Sequence, residues 1–98
     1  MREYLIKCLD GEWFNLQDMD LTVVWKPNSI ASEKVSGLGD YGIRVSGCEI
    51  SFSYEDPGIQ VCIEGTLSNE KADMVVREIA ENTTNATGQR SKIVLITP

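Results

Sequence analysis

Apolar and polar residues alternate with a period of two over most of this chain, the spacing of strands with one buried face. In "REYLIKCL", Tyr4, Ile6 and Cys8 share one face and Leu5, Lys7 and Leu9 the other, which predicts a first strand. "GEWFNLQDMD" reads as a turn followed by a short strand near Trp13–Leu16. "LTVVWK" is rich in strand formers, with Leu21, Val23 and Trp25 on one face, and Pro27 ends it because proline cannot donate to a ladder. Residues 27–36 are polar and weakly patterned, a loop or a short helix around Ala31–Val35. Gly47 marks a bend before the next strand.

The sharpest pattern is "CEISFSYEDPGIQVCIEGT". Cys48, Ile50, Phe52 and Tyr54 alternate with polar residues, "EDPG" carries turn chemistry, and Ile59, Val61 and Ile63 resume the alternation. This predicts a hairpin with Tyr54 opposite Ile59, Phe52 opposite Val61 and Ile50 opposite Ile63. Cys48 and Cys62 then point to opposite faces, which argues against a disulfide between them.

"LSNEKADMVVREIAEN" carries the period of a helix. Ser68 is its N-cap, Glu70 and Asp73 lie where the helix dipole favours acids, and Ala72, Val75, Val76, Ile79 and Ala80 form one apolar stripe. Asp73 and Arg77 are spaced to pair, for about 0.2–0.5 kcal/mol. Asn82 and Asn85 belong to a polar helix exit stopped near Gly88. "SKIVLITP" is apolar on both alternate sets, the pattern of a strand covered on both faces or inside a sheet. With the strand at 59–66 and the helix it forms a candidate crossover joining parallel strands. The expected fold is one α+β domain over residues 1–98: a mostly antiparallel sheet of about five to six strands with one main C-terminal helix on one face.

Composition narrows the function. Fifteen acids against nine bases give a net charge of −6 over 98 residues. That disfavours nucleic acid and anionic membranes, which need a basic surface. Asp10, Glu12, Asp18 and Asp20 crowd residues 10–20 with no base among them, and residues 46–81 hold eight acids against Lys71 and Arg77. The first residues are too short an apolar run and too charged for a signal peptide, which points to the cytoplasm. There the three cysteines, Cys8, Cys48 and Cys62, read as reduced, packed thiols.

"GLGDYG", residues 37–42, matches the letters of a dinucleotide-binding loop. That loop works by joining a strand to a helix N-terminus, which holds the pyrophosphate. Here the glycines follow a polar segment and lead into a strand, and Asp40 would repel phosphate. A flexible connector is the reading, with Tyr41 exposed on it as a contact for a partner.

The chain has no histidine, so the commonest general base and neutral metal ligand are missing. Cys8 has Lys7 beside it, but adjacent strand residues point to opposite faces. "DGE" and "DMD" lack the spacing of a calcium loop and read as solvated turns. Trp13 and Trp25 read as core or rim packing. No catalytic, cofactor-binding or metal-binding residue is expected, and the chain reads as a non-enzymatic binding protein.

The hairpin, the helix and "SKIVLI", set in an acidic chain, resemble the small immunity proteins of bacterial toxin systems, including contact-dependent inhibition. The resemblance implies an inhibitor that binds a cognate, basic toxin domain tightly and stoichiometrically. Electrostatic steering would speed that encounter. The partner-binding residues expected on exposure grounds are Asp10, Glu12, Asp18, Asp20, Tyr41, Glu55 and Asp56. The alternative is an assembly subunit that forms a homodimer through its sheet.

Overall fold

The hairpin lies within the sheet in the register expected. β4 (Cys48–Glu55) and β5 (Gly58–Glu64) pair antiparallel with Ile50 opposite Ile63, Phe52 opposite Val61 and Tyr54 opposite Ile59. The computed structural model describes residues 1–55 and 57–98. Before the hairpin come β1 (Arg2–Cys8), α1 (Leu21–Val24), β2 (Glu33–Lys34) and β3 (Tyr41–Val45); after it come α2 (Asn69–Thr87) and β6 (Ser91–Thr97). Among the described residues the strands form one six-stranded sheet in the order β2-β3-β4-β5-β1-β6, with each neighbouring pair antiparallel. β5 and β6 both run antiparallel to β1, so they are parallel to each other, and α2 connects them.

One face of the sheet is the core. Tyr4 and Ile6 of β1, Ile43 and Val45 of β3, Ile50 and Phe52 of β4 and Ile59, Val61 and Ile63 of β5 are buried there with the α2 stripe Ala72, Val75, Val76, Ile79 and Ala80. Each fully buried aliphatic or aromatic side chain contributes about 1.5–3 kcal/mol. α2 starts where expected: Ser68 accepts a hydrogen bond from the Lys71 amide at 3.2 Å, and the helix ends on Gly88 in the left-handed conformation. β3 and β4 join through Ser46 and Gly47, both at positive φ, the two-residue turn whose twist suits a hairpin.

Two segments depart from their local pattern. "LTVVWK" does not form a strand. Asp20 caps a helical turn, accepting from the Thr22 amide at 3.0 Å, and both Val24 and Trp25 are buried while Val23 is 66% exposed. Consecutive inward side chains are incompatible with a strand. Trp25 decides the matter: its ring stacks on Phe52 at 4.8 Å, meets Tyr41 edge-on at 5.8 Å, and donates from Nε1 to Thr83 Oγ1 at 3.1 Å.

Residues 13–16 keep their alternation, with Phe14 and Leu16 buried and Trp13 and Asn15 exposed, yet form no ladder. Their backbone is met by a side chain instead. The Asn15 amide donates to Gln89 Oε1 at 2.7 Å, and Gln89 Nε2 donates to the Trp13 carbonyl at 2.9 Å. In 27–36, the loop or helix expected is interrupted by β2, which pairs Glu33 with Arg44 and Lys34 with Ile43.

Candidate functional site

The two edges of the sheet differ in kind. One is β2, two residues long and charged. The other is β6, seven residues long, which has β1 on one side and no strand on the other among the described residues. Ile93, Val94, Leu95 and Ile96 of β6 are 39%, 41%, 45% and 49% exposed. The expectation that "SKIVLITP" is covered on both faces is thus corrected. The strand carries an interior pattern but lies at an edge, where neither face is fully covered.

Register assigns the faces. Leu95 lies opposite Tyr4 and Ile93 opposite Ile6, on the side of the sheet that α2 covers. Val94 lies opposite Leu5 and Lys92 opposite Lys7, on the open side. A bulge separates the Tyr4–Leu95 and Glu3–Thr97 pairs, leaving Ile96 as the additional residue. The Leu9 amide donates to the Arg90 carbonyl at 3.0 Å, which sets the alternation of the ladder. Lys92 and Val94 therefore turn their amides and carbonyls towards β1, and those of Ser91, Ile93 and Leu95 face outward, with no backbone partner among the described residues. Between this strand and α2 runs an open groove of about 580 Å³, with Leu9, Ala80 and Ile93 as apolar lining and Arg77, Glu81 and Arg90 as charged lining.

The acids named from the sequence fall into place unevenly. Asp10, Glu12 and Asp18 are exposed along residues 9–20, and Trp13 stands between them, 47% exposed rather than packed. Asp10 accepts from the Glu12 amide at 3.0 Å. Asp20 is exposed but occupied as the α1 cap, whose hydrogen bonds from Thr22 hold its carboxyl below the usual carboxylate range. Glu55 is exposed at the end of β4; Asp56 lies outside the described residues. The sheet register puts Glu55, the end of β1 and hence Asp10 at one end of the sheet.

Tyr41 is a correction. It is only 8% exposed, packed against Trp25 and Phe52, because it opens β3 rather than riding on a loose tip. The "GLGDYG" segment is stapled to β4: the Asp40 amide donates to the Phe52 carbonyl at 2.9 Å and Asp40 Oδ2 accepts from the Tyr54 amide at 2.9 Å. No helix follows it; β3 does.

One polar cluster was not legible in the sequence. Tyr4 donates to Asp73 Oδ1 at 2.5 Å, and Arg2 donates to the Tyr4 hydroxyl at 2.6 Å and to Asp73 at 3.0 Å. Asp73 therefore ties the start of α2 to β1 instead of pairing with Arg77. Burial first, then the Asp73 hydrogen bond, pushes the Tyr4 phenol up to about 12, so it stays protonated and is not a base. The same bonds, Tyr4 first and Arg2 next, hold the Asp73 carboxyl low. The cysteines are free thiols; burial foremost pushes Cys8 and Cys62 up, away from thiolate chemistry. Among the described residues no helix is long and apolar enough to cross a membrane. Comparison with protein-family models, with curated proteins and with solved structures finds no match for this chain.

Proposed function

We propose that this protein is a polypeptide-binding module that takes an extended segment of a partner as an additional strand beside β6. One observation carries this reading: a strand patterned for the interior of a sheet lies at its edge, with no backbone partner among the described residues for its outward amides and with apolar side chains uncovered on both faces. Natural sheets blunt such edges with charge, proline or brevity, as β2 does here. Strand addition uses both features, since main-chain hydrogen bonds supply affinity and alternate side chains supply specificity.

The test is affinity capture from extract of the source organism, with wild type and Val94→Lys as parallel baits. Val94 faces the open side, so the substitution spares the core. A specific partner should be retained by wild type and weakened at least about tenfold by the lysine. Equal retention by both baits refutes the reading.

A second reading has its own support. The exposed Asp10, Glu12 and Asp18 flank an exposed Trp13, and Glu55 lies at the same end of the sheet as Asp10. Acids around an aromatic anchor suit a basic protein surface, in keeping with an immunity-type inhibitor of a basic toxin domain. Reversing Asp10 and Glu12 to lysine should then slow association with such a domain by about tenfold or more at low salt. An unchanged association rate would exclude this face.

A further inference from the structure

Resting on the reading of β6 as a docking edge, we infer that its occupant is a second copy of this chain, with two β6 strands paired antiparallel about a two-fold axis beside Val94. The outward-facing backbone groups restrict the registers. Only Ser91, Ile93 and Leu95 offer amides and carbonyls to a neighbour, so hydrogen-bonded pairs must join these residues. Pairing Ile93 with Leu95 of the second copy satisfies both residues on both strands. It sets isoleucine against leucine on the helix side, twice, and Val94 against its own counterpart on the open side.

Charge agrees with the same arrangement. The chain is acidic overall, yet residues 90–98 carry Arg90 and Lys92 and no acid. Antiparallel pairing sends the two Lys92 side chains to opposite ends of the interface. Each then lies towards the Thr97 end of the other copy, where Glu3 is the neighbour of Thr97 in the ladder and on the same open side. A two-fold axis normal to the sheet also leaves both α2 helices on one face, so the two grooves open towards each other and the exposed Ile93 and Leu95 side chains fill the space between.

The area is sufficient for a reversible dimer. Four side chains at these exposures leave on the order of 300 Å² uncovered per copy, and with the backbone edge the pairing buries on the order of 1,000 Å² in total, the low end of specific interfaces. Association should therefore depend on concentration.

The decisive experiment combines sedimentation velocity with residue-resolved hydrogen exchange, on wild type and two variants. From about 1 µM to about 500 µM, the range spanning micromolar affinity, wild type should pass from monomer to dimer. The amides of Ile93 and Leu95 should gain protection over that range, while those of Lys92 and Val94, bonded to β1, stay protected throughout. Val94→Lys sets two like charges opposite each other and should weaken the dimer at least about tenfold while keeping the monomer's circular dichroism. Val94→Cys sits at a non-hydrogen-bonded pair, where Cα atoms approach to about 4.5 Å, and with an added thiol oxidant such as a diazene, which takes up the two electrons and two protons, should form a disulfide-linked dimer; Lys92→Cys should not.

A chain that stays monomeric with Ile93 and Leu95 unprotected overturns the second copy as occupant. So does a dimer that Val94→Lys leaves intact. Neither result bears on a different partner at β6, which is decided separately by the paired captures.

Discussion

Replacing Thr83 by valine removes one oxygen and almost no volume, and it should be among the costliest conservative changes in the molecule. Thr83 is fully buried, and its hydroxyl accepts from Trp25 Nε1 at 3.1 Å while donating to the Ile79 carbonyl at 2.8 Å. Valine keeps the shape but leaves the indole N–H, on a residue only 1% exposed, without an acceptor. A buried donor left unpaired costs about 1–3 kcal/mol. The Ile79 carbonyl keeps its place in the helical ladder, so the loss falls mainly on Trp25. Serine is the opposite change: it keeps the hydroxyl and deletes a methyl, for about 0.8–1.5 kcal/mol. Stabilities of small domains are about 5–15 kcal/mol, so either loss is measurable. Urea denaturation followed by circular dichroism should give midpoints in the order wild type, Thr83→Ser, Thr83→Val, with unchanged slopes. In melting, Thr83→Val should fall by roughly 4–24 °C, at about 4–8 °C per kcal/mol over that range of penalties. The double variant with Trp25→Phe supplies the control. Once the indole N–H is gone, valine at 83 should cost about 1–2 kcal/mol less than in wild type. Equal midpoints for Thr83→Val and wild type, or a valine penalty unchanged by Trp25→Phe, would refute the assignment of that hydrogen bond.

Four further outcomes are expected. Tyr4 has a pKa raised above its unfolded value, so its contribution is complete below about pH 10 and is lost as pH rises towards about 12; burial raises Tyr41 and Tyr54 as well, so ultraviolet titration should show all three tyrosines ionising late, with the component near pH 12 removed by Tyr4→Phe. Asp73 has the opposite sign: its depressed pKa stabilises the fold above the ordinary carboxylate range and the benefit fades as acid protonates it, so Asp73→Asn should flatten the acid limb of stability against pH. Gly39 has φ +52°, and a Cβ there would lie 2.7 Å from the Phe52 carbonyl; Gly11 is also at positive φ, but in open space. Chemical denaturation should accordingly find Gly39→Ala more damaging than Gly11→Ala, whose cost is about 1–2 kcal/mol of backbone strain. Asp20→Ala should cost about 1 kcal/mol through loss of the α1 cap, read as a lowered urea midpoint; no change would mean the cap contributes nothing.

The amino-acid sequence by itself determined the elements whose information is local. The hairpin register follows from a strict period of two on each side of "EDPG", because shifting by one residue would expose Ile50 and Phe52. The limits of α2 follow from Ser68 and Gly88, whose preferences are set by the backbone groups left unpaired at helix ends. Tertiary structure decided the rest. "LTVVWK" has the composition of a strand, but burying Trp25 against Phe52 and Thr83 is worth more than local propensity. Residues 13–16 kept an alternating burial without becoming a strand because the Gln89 side chain, distant in sequence, met their backbone. Tyr41 moved from a contact residue to the core once β3 began at that position. The end of the chain marks the boundary most clearly. Its pattern identified "SKIVLI" as a strand needing cover on two faces, whereas strand order alone placed it at an edge, since side-chain periodicity records how much surface must be buried and not which neighbour buries it.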